Sequence, residues 1–207
     1  MTDSVRAPEI VTRGTGHDER DADRAEVELS FVGRGPDRAA AVAELGRRVA
    51  AAEGALAAPG LTVRHRRLWV ADDWHRRRVK GCSATEDIGV RLGELDRLDE
   101  VLAALVAAEP ARLHGPRWSL AEPSALLREA QRRAVADARE RAEGYAAALG
   151  GRLGGLLRLE DGDNVEHVYR AAAMEGAPQV PDVADLRLDP EPVRVTVHCT
   201  TTWSLLL

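Results

Sequence analysis

Residues 124–154, SALLREAQRRAVADARERAEGYAAALGGRLG, decide the fold. Ala130, Ala134, Ala138, Ala142 and Ala146 return every fourth residue, and Gly150-Gly151 closes the run. Alanine has the highest helix propensity and lets a partner approach the helix backbone closely. Paired glycines supply a left-handed stop. The stretch therefore predicts a helix from Pro123 or Ser124 to Leu149, leading directly into a strand at Leu153–Leu159. A four-residue repeat on a 3.6-residue turn drifts by about 40° per step. The alanines are thus expected to spiral, with Leu126, Leu127, Val135, Tyr145 and Leu149 widening them into a core face. That leaves some alanines able to face a neighbouring subunit or a loop. Arg128, Arg132, Arg133, Asp137, Arg139, Glu140 and Arg141 cover the opposite side, Asp137 and Arg141 at the spacing of a weak ion pair.

Upstream, Glu9–Gly16 reads as a strand, and in Ala25–Gly33 the alternation of Val27, Leu29 and Phe31 with Glu26, Glu28 and Ser30 marks a half-buried one. Pro36 suits the first turn of a helix reaching Leu56, with Ala39, Val42, Leu45, Val49 and Ala52 on one face. Leu61–Val70 and Val79–Leu92 read as strands joined by the polar connection Ala71–Arg78, a hairpin with a projecting tip. Leu95, Leu98, Val101, Leu102 and Leu105 define a helix over Glu94–Ala108, and Arg112–Leu120 is a weaker strand. Residues 161–192 form a long polar connection holding four prolines. Val193–Leu206 alternates cleanly, and its length predicts a central, paired position. The order β-β-α-β-β-α-β-α-β-β predicts an α+β fold, a largely antiparallel mixed sheet with about three helices packed on it. We expect a disordered start over 1–8 and a single domain over 9–207. Periodicity reveals no repeat of fixed length.

Composition bounds the function. The 207 residues are 44% hydrophobic but only 3% aromatic, so the core must be built from Ala, Val and Leu. A net charge of −5 provides no global basic field for nucleic acid or an anionic membrane. No apolar run reaches the roughly 18–20 residues that span a bilayer. The start, MTDSVRAPEIVTRG, has no apolar segment of a secretory signal, which points to a cytoplasmic protein. Cys82 and Cys199 lie in separate strands without CxxC spacing and are expected to be reduced, buried thiols.

Chemistry-bearing motifs are sparse. Trp74, Arg76, Arg77, Arg78 and Lys80 form the densest positive patch, with an aromatic beside it, a pattern able to hold phosphates or stack on bases. The competing reading is a solvated hairpin tip or a subunit contact anchored by Trp74. The six histidines have no zinc-ligand spacing, no serine sits in a G-x-S-x-G elbow, and Gly150–Gly155 follows a helix where a dinucleotide loop would precede one. Asp161, Asp163 and Glu166 lack EF-hand spacing. No metal and no cofactor is expected.

The chain resembles the SIMPL-domain family, which includes bacterial oxidative-stress-defence proteins and a periplasmic antigen. The likeness runs from Ile10 to Leu207. It opens with Ile10-Val11-Thr12-Arg13-Gly14-Thr15-Gly16, continues through Pro36-Asp37-Arg38-Ala39 and the following hairpin, and is carried furthest by Glu129-Ala130, Ala134, Asp137-Ala138, Arg141-Ala142, Ala146, Leu149-Gly150, Leu153-Gly154 and the final alternating strand. These are packing motifs, and no catalytic residues carry over. The resemblance implies an α+β fold, self-association into a homo-oligomer, and a non-enzymatic role in stress response or envelope maintenance through protein contacts. Many relatives are exported; this chain shows no signal peptide. The alternatives from other classes are a binding module for an anionic ligand or nucleic acid at residues 74–80, and an enzyme with its site under the 161–192 loop.

Overall fold

The computed structural model describes residues 8–75, 78–162, 166–168 and 188–207. In chain order its elements are β1 (Glu9–Asp21), β2 (Arg24–Gly35), α1 (Arg38–Leu56), β3 (Leu61–His75), β4 (Arg78–Leu92), α2 (Leu98–Ala107), β5 (Arg112–Ser119), α3 (Pro123–Ala148), β6 (Arg152–Asp161), β7 (Glu166–Val168) and β8 (Pro192–Leu206). The fold is α+β, in the expected order with the short β7 added. Every strand pairing is antiparallel. The disordered start expected over 1–8 lies outside the described residues except for Pro8, whose carbonyl accepts from the Leu205 amide at 2.8 Å. Of the expected 161–192 loop, 163–165 and 169–187 likewise lie outside them.

The strands divide between two sheets, each in its own compact unit. One unit holds β1, α3, β6, β7 and β8, with strand order β1-β8-β6 and β7 also paired to β8. The other holds β2, α1, β3, β4, α2 and β5, ordered β3-β4-β2-β5. Both follow one scheme: a first strand, a helix, then a hairpin-like pair whose last strand sits beside the first. β1-α3-β6-β8 and β2-α1-β3-β4 are thus two copies of a β-α-β-β motif. The sequence hides this repeat because the second motif is inserted between the first strand and the helix of the other.

A glycine pair marks the same place in each copy. The inward side of β1 reads Ile10, Thr12, Gly14, Gly16, and that of β2 reads Leu29, Phe31, Gly33, Gly35. A Cβ on Gly14 would lie 1.9 Å from the Ala134 carbonyl oxygen of α3, and one on Gly33 would lie 2.3 Å from the Leu45 amide nitrogen of α1. Helix backbone therefore rests almost directly on strand backbone, which only glycine opposite a slim helix face allows.

This close approach explains α3. Leu126 and all five stripe alanines are fully buried, while Tyr145 and Leu149 are exposed and Val135 is partly so. The expectation that bulky neighbours would widen the stripe holds for Leu126 and in part for the half-buried Leu127, and is corrected for Val135, Tyr145 and Leu149; no stripe alanine is left to face a partner. The physical reason is sheet twist. A row of residues at i, i+4, i+8 runs obliquely across a helix, and a twisted sheet turns beneath it, so the drifting stripe stays in contact along its length. The Asp137–Arg141 ion pair forms at 3.1 Å, and Asp137 also accepts from the Thr15 amide at 2.9 Å, pinning α3 to β1. These contacts hold the Asp137 carboxyl below its usual range, the backbone hydrogen bond from Thr15 foremost.

In α1 the start and face both shift from expectation. Asp37 is the N-cap, its side chain accepting from the Ala40 amide at 2.8 Å, so Pro36 stands outside the helix. A cap of this kind contributes about 1 kcal/mol. The buried face is Ala41, Leu45, Val49, Ala52 and Leu56, with Ala39 and Val42 exposed. β8 takes the central place its length implied, between β1 on one side and β6 and β7 on the other. Both thiols, Cys82 and Cys199, are free and buried as expected. No helix among the described residues is long and apolar enough to cross a membrane.

Candidate interaction surface

None of the described side chains of β3 is fully buried, whereas β4 beside it carries the core residues Cys82, Ala84, Ile88, Val90 and Leu92. Within the expected connection Ala71–Arg78 the described residues continue the hairpin as strand: β3 runs on to His75 and β4 begins at Arg78, with Trp74 opposite Val79 and His75 opposite Arg78. Trp74, Arg78 and Lys80 are all exposed at this end, Trp74 at 67%. Arg76 and Arg77 lie outside the described residues. Of the five basic-patch residues, the structure thus brings three together.

β3 is also the edge of its sheet, hydrogen-bonded only to β4 among the described residues. Register with β4 separates its two sides. Arg66, Leu68, Val70 and Asp72 face the α1 side, opposite Ile88, Glu86, Ala84 and Cys82; Arg67, Trp69, Ala71 and Asp73 face the outer side, opposite Asp87, Thr85, Ser83 and Gly81. Leu68 is 57% exposed and Trp69 50% exposed. Large apolar side chains half in water on a long unpaired edge are unusual, because such edges invite further strand pairing. The run Arg64-His65-Arg66-Arg67 before them carried the signal: charge on both strand faces marks an edge.

Polar contacts brace this edge. Arg38 of α1 donates to Asp72 through Nε at 3.2 Å and Nη2 at 3.3 Å, and the Cys82 thiol donates to the same carboxylate at 3.4 Å. The Arg38 hydrogen bond, with that of Cys82, holds the Asp72 carboxyl below its usual range, and burial followed by the Asp72 hydrogen bond pushes the Cys82 thiol up. Arg66 is bidentate to Glu53 of α1 at 2.9 Å and 3.0 Å and lies 3.5 Å from Glu86. Ser83 donates to Asp73 at 2.9 Å. By contrast Arg67 makes no ion pair or hydrogen bond among the described residues.

On the outer face of the same sheet, Glu26 accepts from Arg91 and Arg117, each at 2.7 Å. Burial works to raise the Glu26 carboxyl, but the two guanidinium groups together outweigh it and hold the carboxyl below its usual range. His65 lies over Gly89, where a Cβ would meet its ring at 2.3 Å, and sits 3.4 Å from Glu28. These residues form a charged, braced sheet surface. Among the described residues no three His, Cys, Asp or Glu side chains converge in a way that could hold a metal ion. An open depression on α3 is bordered by Arg20, Arg128, Arg132 and Glu129, and a second one by Arg34, Arg48, Arg112 and Glu44.

A second apolar edge belongs to the other unit. β6 ends the order β1-β8-β6, and Leu156, Leu157 and Leu159 are each about half exposed along it.

The family model SIMPL, described as a protein of unknown function (DUF541), matches residues 10–203. Among curated proteins, none matches the chain.

Proposed function

The chain belongs to the SIMPL family, and on that premise we propose that it works by associating with copies of itself, as an interaction protein and not as a catalyst. The observation that supports this reading is the half-exposed pair Leu68 and Trp69 on the edge of β3 that is unpaired among the described residues. Apolar side chains at a strand edge gain free energy, at roughly 25 cal/mol per Å² of apolar surface, when a partner covers them. A stable covering also removes the hazard that an open edge poses in solution. The biological setting we assign is stress response, on family likeness alone.

The test is multi-angle light scattering on the full chain over a wide concentration range. A mass above that of one chain, rising or constant with concentration, is expected; a strict monomer at the highest concentration overturns the proposal. A strain lacking the protein should also grow less well than its parent under peroxide stress, and equal growth would remove the stress assignment.

A second reading is an anion-binding module. It is favoured by the joint exposure of Trp74, Arg78 and Lys80 at one end of the hairpin. Retention on heparin that falls with salt and is lost in the combined Arg78→Ala, Lys80→Ala variant would support it. Retention surviving that change would sink it.

A further inference from the structure

Building on that self-association, we propose that the β3 edges of two copies pair antiparallel about a two-fold axis through Trp69, joining the two four-stranded sheets that contain them into one continuous sheet.

Symmetry limits the register sharply. Two identical strands can pair antiparallel only about an axis perpendicular to the sheet, because a two-fold along the strands makes them parallel. Such an axis keeps each face on its own side, so a residue must sit opposite one from the same face of β3. Only registers centred on a residue satisfy this.

Charge then selects among them. With Trp69 opposite itself, Leu68 meets Val70, Arg66 meets Asp72, and His65 meets Asp73. Arg67, which lacks a partner in its own chain among the described residues, lies diagonal to Asp73. Directly opposed opposite charges and diagonal neighbours both stabilise paired strands. Centring on Leu68 instead puts Arg66 opposite Val70 and His65 opposite Ala71. Centring on Val70 keeps the Arg67–Asp73 pair but sets Leu68 against Asp72. The basic half of the strand and its acidic half are therefore complementary in one register, with the half-exposed Leu68 and Trp69 at its middle. Arg66 and Asp72 already have partners in their own chain, Glu53 and Glu86 for the first and Arg38 for the second. The second copy would extend these into an alternating network.

A residue on a two-fold meets itself, which gives a distinctive test. Trp69→Lys and Trp69→Glu each place like charges in contact, whereas an equimolar mixture places opposite ones. We expect light scattering to show each variant at half the wild-type mass or less, and the mixture to regain it, with circular dichroism confirming that both are folded. Wild-type mass in both variants would move the interface elsewhere and leave self-association standing. Lighter variants with no recovery on mixing would reject the two-fold register. A monomeric wild type would overturn self-association and this interface together. If either charged variant fails to fold, Trp69→Cys decides. Opposed strand residues lie about 4.5–5.5 Å apart at Cα, within disulfide range. Oxidation with diamide should therefore yield a covalent dimer from Trp69→Cys and none from Thr62→Cys. Absence of the Trp69→Cys dimer overturns the proposal.

Discussion

The Thr12 hydroxyl on β1 donates to the Ala138 carbonyl oxygen on α3 at 2.7 Å, with both residues buried. Its single proton is thereby committed, so the Thr201 hydroxyl is the donor toward Thr12, whose Oγ1 lies at 3.1 Å and whose carbonyl oxygen lies at 3.4 Å. Trp203 in turn donates its indole N–H to Thr201 at 2.8 Å. A directed chain of hydrogen bonds thus runs from β8 through β1 into the helix, in surroundings where such bonds reinforce each other.

Thr12→Val keeps the shape of that side chain and removes the relay. We expect a loss of about 1–2 kcal/mol of stability, with Thr12→Ser recovering part of it, measured by urea unfolding. An unchanged midpoint in Thr12→Val would mean that shape alone matters at this position.

Gly14→Ala sets a methyl against the Ala134 carbonyl at a separation no carbon atom tolerates, and Gly33→Ala does the same against α1. Each should lose about 3 kcal/mol or more, at the upper end of overpacking costs. Gly155→Ala, with nothing within 4 Å of the added carbon, is the control and should change little. Near-equal unfolding midpoints for all three would contradict the close approach of strand and helix.

Gly46 in α1 and Gly144 in α3 stand mid-helix with open space around them. Replacing either with alanine should stabilise the protein by about 0.5–1 kcal/mol. A higher thermal midpoint is the expected reading, and a lower one would show that these glycines serve a contact.

The Glu26 carboxyl is held below its ordinary range by Arg117 and Arg91 in the folded state only. Its contribution is therefore complete at neutral pH and disappears as pH falls through the depressed folded value, where both states are protonated. Glu26→Gln should be clearly less stable than the wild type at pH 7, and the gap should narrow at acid pH. A gap independent of pH would assign the loss to packing instead.

Both thiols are buried, and desolvation is the leading cause raising each of them. Since the thiolate is the reactive form, the folded protein should react slowly with a thiol reagent and rapidly in denaturant. Fast labelling of the native protein would show an opening near Cys82 or Cys199.

Elements whose signal is local were legible in the sequence. The alternation of Val193 to Leu205 and the helix of the alanine stripe announce themselves within a few residues, and both elements form, although the stripe's face differs from the one expected. What escaped depends on partners far along the chain. Thr12 looks like an ordinary strand residue until Ala138 and Thr201 arrive beside it. The exposure of Tyr145 and Leu149 follows from how the sheet twists beneath α3, which helical periodicity does not encode. Likewise the strand that holds Leu68 and Trp69 was legible over Leu61–Val70, but their exposure follows from the edge place that sheet order gives it.

Glu9 pairs with Ser204 and Asp21 with Pro192, so the opening strand is completed by the closing one. During synthesis from the ribosome, the inserted β-α-β-β motif has all its strands in hand long before β8 is made. β1 meanwhile waits with its backbone edge unpaired, and joining strands so distant in sequence is a slow, late step. Birth of this protein is therefore staged: an early-forming inserted module, then a frame that can lock only once β8 has been made. A premature stop shortly before Pro192 would release a finished insert carried on a frame that has no central strand.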